Sequence, residues 1–169
     1  MLAMLTSSFR SSTPFDPAWY DIPVESRGQV VKAMVLIRRP RDGALLVSEE
    51  ANPTGELFHR PLGGHVEFGE FALDTVHREF REEIGQALTE VRLAGVLENI
   101  FAWGSATKHE IVFVFTAGLA DEAAYEIGEQ AILDTRDRTR VIWRAAGAAG
   151  PPLYPVGVAD LAGHGRGPA

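Results

Sequence analysis

The 169-residue sequence contains no cysteine. Disulfides, thiolate zinc sites and thiol nucleophiles are excluded together. Lysine is nearly missing as well. Lys32 and Lys108 are the only two among 16 basic residues, a bias that reads as genome composition and not as function. Basic residues nowhere form a run or a stripe, so the footprint of a nucleic-acid-binding protein is lacking. No apolar run approaches the roughly 20 residues that a membrane-spanning helix needs. Met1–Arg10 places no basic residue ahead of its short apolar stretch, which is unlike a secretory leader. A cytoplasmic protein with neither a membrane nor a nucleic-acid partner is expected.

What is present fits one domain of ordinary size, long enough to bury a core without covalent staples. Apolar residues make up 46% and charged residues 23%, close to globular averages, so wholesale disorder is excluded. The formal net charge is -7. A chain this acidic can handle a polyphosphate if a cation stands between the two sets of negative charge.

Along the chain, residues 1–28 are Ser/Pro-rich with aromatics at Phe15, Trp19 and Tyr20. They predict a mobile start and then an extended segment docked on the domain or on a second subunit, so a homodimer is an expectation. Gln29–Arg38 reads as a strand, Arg41-Asp42-Gly43 as its turn and Ala44–Val47 as a second strand. Asn52–Gly55 is a loop, and Gly63-Gly64 breaks the chain before His65–Phe68. Phe71–Ile84 has helical periodicity. Leu73, Val76, Phe80 and Ile84 fall within about 80° of one another and predict one buried face, with Gly85 as the stop. Val91–Trp103 and His109–Leu119 are two long strands about a Gly104-Ser105 turn, and Ile111–Phe115 suits a strand covered on both faces. Asp121–Thr139 reads as a long loop, Arg140–Arg144 as a strand, Leu153–Leu161 as a weak helix and Gly163–Ala169 as a disordered tail. Strands, one strong helix and then more strands imply a mixed sheet packed by helices, not a regular alternation.

The chemistry concentrates between Gly64 and Gln86. Glu79, Glu82 and Glu83 stand at i, i+3 and i+4, on one side of the helix and next to its buried face. Carboxylates gathered at a core edge repel one another, and a cation is the natural compensation. Oxygen-only ligands suit Mg²⁺, Mn²⁺ or Ca²⁺ and not zinc. A Glu-x-x-Glu-Glu by itself is usually an exposed helix face, with Arg78 and Glu82 as an i, i+4 pair. Seven Gly, Glu and Arg positions at set spacing are a different matter. At roughly 7% usage each, chance supplies them at about 10⁻⁸ per start point.

Gly64, Glu70, Arg78, Glu79, Phe80, Glu82, Glu83 and Gly85 resemble the Nudix box, G-x5-E-x7-R-E-U-x-E-E-x-G-U, where U is a bulky apolar residue. Gln86 departs from the pattern at its last position, and Arg60-Pro61-Leu62-Gly63-Gly64 replaces the commoner Leu-Pro-Gly-Gly just before it. The resemblance to the Nudix (MutT-like) family implies an α/β/α sandwich about a central mixed sheet over residues 29–145, with an N-terminal extension at 1–28 and a C-terminal segment at 146–169. It implies hydrolysis of a phosphoanhydride in a nucleoside-diphosphate-type small molecule, using Mg²⁺ or Mn²⁺. Glu79, Glu82 and Glu83 would be metal ligands, helped by the Gly63 carbonyl, and Arg78 with Glu70 the ion pair that holds loop to helix. A further Glu from a later loop, Glu126 or Glu129, would act as distal base or ligand.

Outside the box, Arg60 and His59 are candidates for phosphate contact. Phe101 or Trp103 is a candidate for stacking a nucleobase, and His109 or Glu110 for reaching the site as base or substrate contact. His164 has no role assigned. An isopentenyl diphosphate isomerase on the same fold would use a cysteine that this chain lacks. A sensing module that binds a nucleotide without cutting it is the remaining alternative, and the intact glutamates argue against it.

Overall fold

A largely apolar stretch near the start of the domain becomes the strand around which the rest is laid. In a computed structural model that describes residues 28–133 and 139–164, Val30–Ile37 forms β1, covered on both faces. Its side chains alternate between two core clusters, as a period of two requires. Ala33, Val35 and Ile37 enter one with Val76, Phe80 and Ile84. Met34 and Leu36 enter the other with Val158 and Ala162. The remaining strands are β2 (Leu45–Ala51), β3 (Leu57–Arg60), β4 (Leu62–His65), β5 (Leu88–Trp103), β6 (Ala106–Leu119), β7 (Glu129–Ala131) and β8 (Arg140–Arg144). Helix α1 spans Ala72–Ile84 and α2 spans Val158–His164.

Two sheets result. The first runs β4-β1-β6-β5, with β1 parallel to β6 and the other pairs antiparallel. It is the mixed sheet expected, and α1 and α2 pack against its opposite faces. The second is antiparallel, in the order β3-β2-β8-β7.

Several local expectations change. Gly63 and Gly64 do not break the chain; they sit inside β4, opposite Met34 and Ala33. A Cβ on Gly63, where φ is 136°, would lie 2.1 Å from the Ala33 carbonyl oxygen. The glycine therefore serves close backbone pairing. The stretch 121–139 includes a 3-10 turn at Glu122–Glu126 and strand β7. The weak helix begins later than expected: Leu153 bridges His59, and α2 carries on to Gly163 and His164. The N-terminal aromatics and residues 165–169 lie outside the described residues.

Helix α1 closes at Gly85, whose φ is 68°, and the N–H groups of Gly85 and Gln86 reach back to Arg81 and Phe80. Its buried side is Thr75, Val76, Phe80, Glu83 and Ile84. Leu73 is not part of it and is 44% exposed. Burial on this helix is shifted toward β4, which takes in Thr75 and Glu83 and leaves Leu73, in the first turn, outside. Phe80→Ala is therefore expected to cost about 3–5 kcal/mol by urea denaturation, and Leu73→Ala less than about 1 kcal/mol. Equal losses would contradict this orientation.

Candidate active site

One arginine organises the carboxylates of α1. Arg78 donates from Nε to one oxygen of Glu70 and from Nη2 to the other, both at 2.9 Å. Its Nη1 donates to Glu79 (2.8 Å) and Glu82 (3.0 Å), and Nη2 also reaches the His65 carbonyl (3.1 Å). The loop before the helix is thereby tied to the helix and to β4. Thr75 Oγ1 (2.8 Å) and the Glu67 N–H (3.2 Å) add two donors to Glu70. The guanidinium first, and then these bonds, hold the Glu70 carboxyl down at about 2. Arg78 is shifted up by the same partners, Glu70 foremost.

Glu83 has a different environment. It is 9% exposed, and its Oε2 accepts the Gly63 N–H at 3.2 Å. Among the described residues it forms no ion pair. Burial pushes its carboxyl up to about 7, opposed by nearby Arg60 and assisted by Glu79. Gly64 completes the arrangement, since a Cβ there would lie 2.1 Å from a Glu79 carboxylate oxygen. The two glycines thus bring β4 against both β1 and the helix carboxylates.

Beside these groups lies a cavity of about 620 Å³, within the range of small-molecule sites. Its polar wall includes Lys32 paired with Glu110 (2.7 Å) and Arg60 paired with Glu50 (2.5 Å). Its apolar wall includes Phe58, Phe101, Trp103 and Tyr154. Of the residues singled out in the sequence, Arg60, Phe101, Trp103 and Glu110 line this cavity. His59 does not: it is buried between Glu49 (3.2 Å) and Arg144 (2.8 Å). Alternation along β3 turns it away from Arg60. His109 likewise leaves the face of Glu110 and meets Glu98 at 2.8 Å. Glu126 pairs with Arg41, in the turn beyond the far end of β1 from Lys32. Glu129 pairs with Arg140 at 3.4 Å. Neither joins the α1 carboxylates.

Lys32, Glu50, Asn52, His65 and Tyr154 were not singled out from the sequence. A signal existed for one pair: both of the chain's lysines, Lys32 and Lys108, line the same cavity. Glu50 and Tyr154 gave none, because non-local strand pairing brings them there.

Among the described residues, no three His, Cys, Asp or Glu side chains converge into a ready-made metal cage. Arg78 draws Glu79 and Glu82 to itself while Glu83 faces Gly63. The donor set still suits a hard divalent cation. It is all oxygen, one member is buried without an ion-pair partner among the described residues, and the missing side chain at Gly64 leaves room for the Glu79 carboxylate.

A model of the NUDIX domain matches residues 28–143. No curated protein matches the chain. Among solved structures, it is similar to a MutT NUDIX hydrolase from Burkholderia pseudomallei, at 25% identity and a TM-score of 0.59, over 80% of this chain and 96% of that one. It is also similar to a NUDIX hydrolase from Nitrosomonas europaea, at 20% identity and a TM-score of 0.50, over 70% of this chain and 73% of that one. The fold is the α/β/α sandwich of these proteins. No helix among the described residues is long and apolar enough to cross a membrane.

The raised Glu83 carboxyl has a stability consequence. A carboxyl that titrates near 7 when folded and near 4.5 when unfolded stabilises the fold fully below 4.5. That contribution is lost as pH rises through 7. With divalent ions chelated, Glu83→Gln should gain stability over the parent across this window, by on the order of 3 kcal/mol at its top. Urea denaturation at pH 4 and pH 8 measures it; a pH-independent difference would refute the assignment.

Proposed function

Because the chain belongs to the Nudix family, we propose that it is a Mg²⁺-dependent pyrophosphohydrolase, with Mn²⁺ as a substitute. It cuts a phosphoanhydride in a nucleoside diphosphate linked to another moiety: a nucleotide sugar, a dinucleoside polyphosphate or a nucleoside triphosphate. The observation that carries this reading is the buried Glu83, near enough to Arg60 to feel its charge, with Arg60 and Lys32 lining one cavity. A small molecule suits a cavity of this size, and the net charge of -7 disfavours nucleic acid.

Glu79, Glu82 and Glu83 would hold the cation, with the Gly63 carbonyl. When bound, it supplies neutralisation of phosphate charge and acidifies a water for attack on phosphorus. Arg78 keeps two of the helix carboxylates, Glu79 and Glu82, in register with the Glu70 loop. Lys32 and Arg60 meet phosphate oxygens, Arg60 with the planar donors that suit them. A carboxylate outside the holding set takes the proton of the attacking water; Glu50 and Glu110 line the cavity for this role.

Purified protein with Mg²⁺ should release phosphate-bearing products from at least one of ADP-ribose, dinucleoside polyphosphates and nucleoside triphosphates. Binding without turnover across that panel would favour a sensing module. Glu82→Gln, at an exposed and therefore structurally tolerant position, should fold normally and lose at least about a hundredfold in kcat. A variant near parental kcat at limiting Mg²⁺ would refute its role. The rate should also rise with pH as the proton acceptor ionises; a flat profile from acid to alkaline conditions would argue against this chemistry.

A further inference from the structure

The segment that follows β8 returns to the cavity. Pro151–Pro155 lies beyond the residues matched by the family model. It is laid along β3, the edge strand of the second sheet. The His59 N–H donates to the Pro152 carbonyl and the Tyr154 N–H to the His59 carbonyl, both at 2.8 Å. The edge strand thus gains main-chain partners that it would otherwise lack.

Side chains lock the segment in place. Arg144 donates to the Pro151 carbonyl (2.5 Å), the Ala148 carbonyl (3.2 Å) and His59 Nδ1 (2.8 Å). Arginine only donates, so Nδ1 accepts, and Nε2–H of the neutral ring donates to Glu49. His59 is 5% exposed and is built into this clamp, not into a phosphate site.

The clamp decides where the Tyr154 ring stands. Its centroid is 6.0 Å from that of buried Phe58, which is 5.9 Å from Trp103, both pairs edge to face. Tyr154 (42%) and Trp103 (37%) remain partly exposed and line the cavity. The two rings flank Phe58, and the cations Lys32 and Arg60 stand on the polar wall.

We propose that Trp103 and Tyr154, with Phe58 between them, form the aromatic wall of a slot for the nucleobase of the substrate, and that the Pro151–Pro155 strap sets which diphosphates are accepted. The proposal rests on the phosphoanhydride reading of the same site. Flat aromatic rings stack on such side chains whatever their hydrogen-bonding edge. A diphosphate seated against Lys32 and Arg60 would extend its base toward the rings.

Calorimetry on the full chain with Mg²⁺ separates ring recognition from phosphate recognition and from turnover. One probe is α,β-methylene-ADP, which is not hydrolysed at that linkage; the other is methylenediphosphonate, which has the same anion and no ring. Tyr154→Ala and Trp103→Ala should each weaken α,β-methylene-ADP by about tenfold or more. They should leave methylenediphosphonate within about twofold. Tyr154→Phe should bind both like the parent, since the ring and not the hydroxyl is used. Val156→Ala, at a 72% exposed position that does not line the cavity, should also match the parent. Equal loss for both probes, no loss for either, or no binding of α,β-methylene-ADP to the parent would overturn the slot. Selective loss of the ring-bearing probe without hydrolysis of any substrate would keep the slot and remove the hydrolase reading.

Discussion

Three carboxylates are held by one guanidinium, and much of the site depends on that arrangement. Arg78 satisfies both oxygens of Glu70 while also reaching Glu79, Glu82 and the His65 carbonyl. A bidentate charge-assisted pair constrains direction as well as distance. The loop between β4 and α1 is therefore anchored to the helix, and β4 to both. Without that anchor, the like charges of Glu70, Glu79 and Glu82 would push the loop away from the helix.

Glu83 lies outside the influence of Arg78's donors and illustrates the opposite electrostatic regime. Glu70 is kept ionised by a cation in contact; Glu83 is disfavoured as an anion by burial. The two carboxyls occupy one motif and differ by about five pH units in where they titrate. Burial of an unpaired carboxyl costs stability, and such costs concentrate where chemistry is done. Gly63 and Gly64 make this burial geometrically feasible, because any side chain there would collide with β1 or with Glu79.

Much of the fold was legible beforehand. β1, the long β5–β6 hairpin, α1 and β8 follow from runs and periods that a single segment carries. The elements that were missed share a cause. β3, β4 and β7 are three or four residues long and contain His, Arg, Gly, Glu or Gln. Their strand character comes from partners distant in sequence: β4 from β1, β3 from β2 and β7 from β8. Leu73 misled for a related reason. Its angular position suits the apolar stripe, but the stripe faces β4 only from Thr75 onward.

By itself the sequence determined the type of chemistry. The spacing of Glu70, Arg78, Glu79, Glu82 and Glu83 along one loop and one helix is local, and helical geometry places the last three on one side without help from the rest of the chain. Tertiary structure decided which of those carboxylates is buried and which are paired. It also decided that His59 clamps a strap while its neighbour Arg60 lines the cavity, and that Tyr154 stands beside residues nearly a hundred positions earlier. Burial, strand register and edge pairing are relations between segments, and one segment's residue order does not encode the face that its partner will cover.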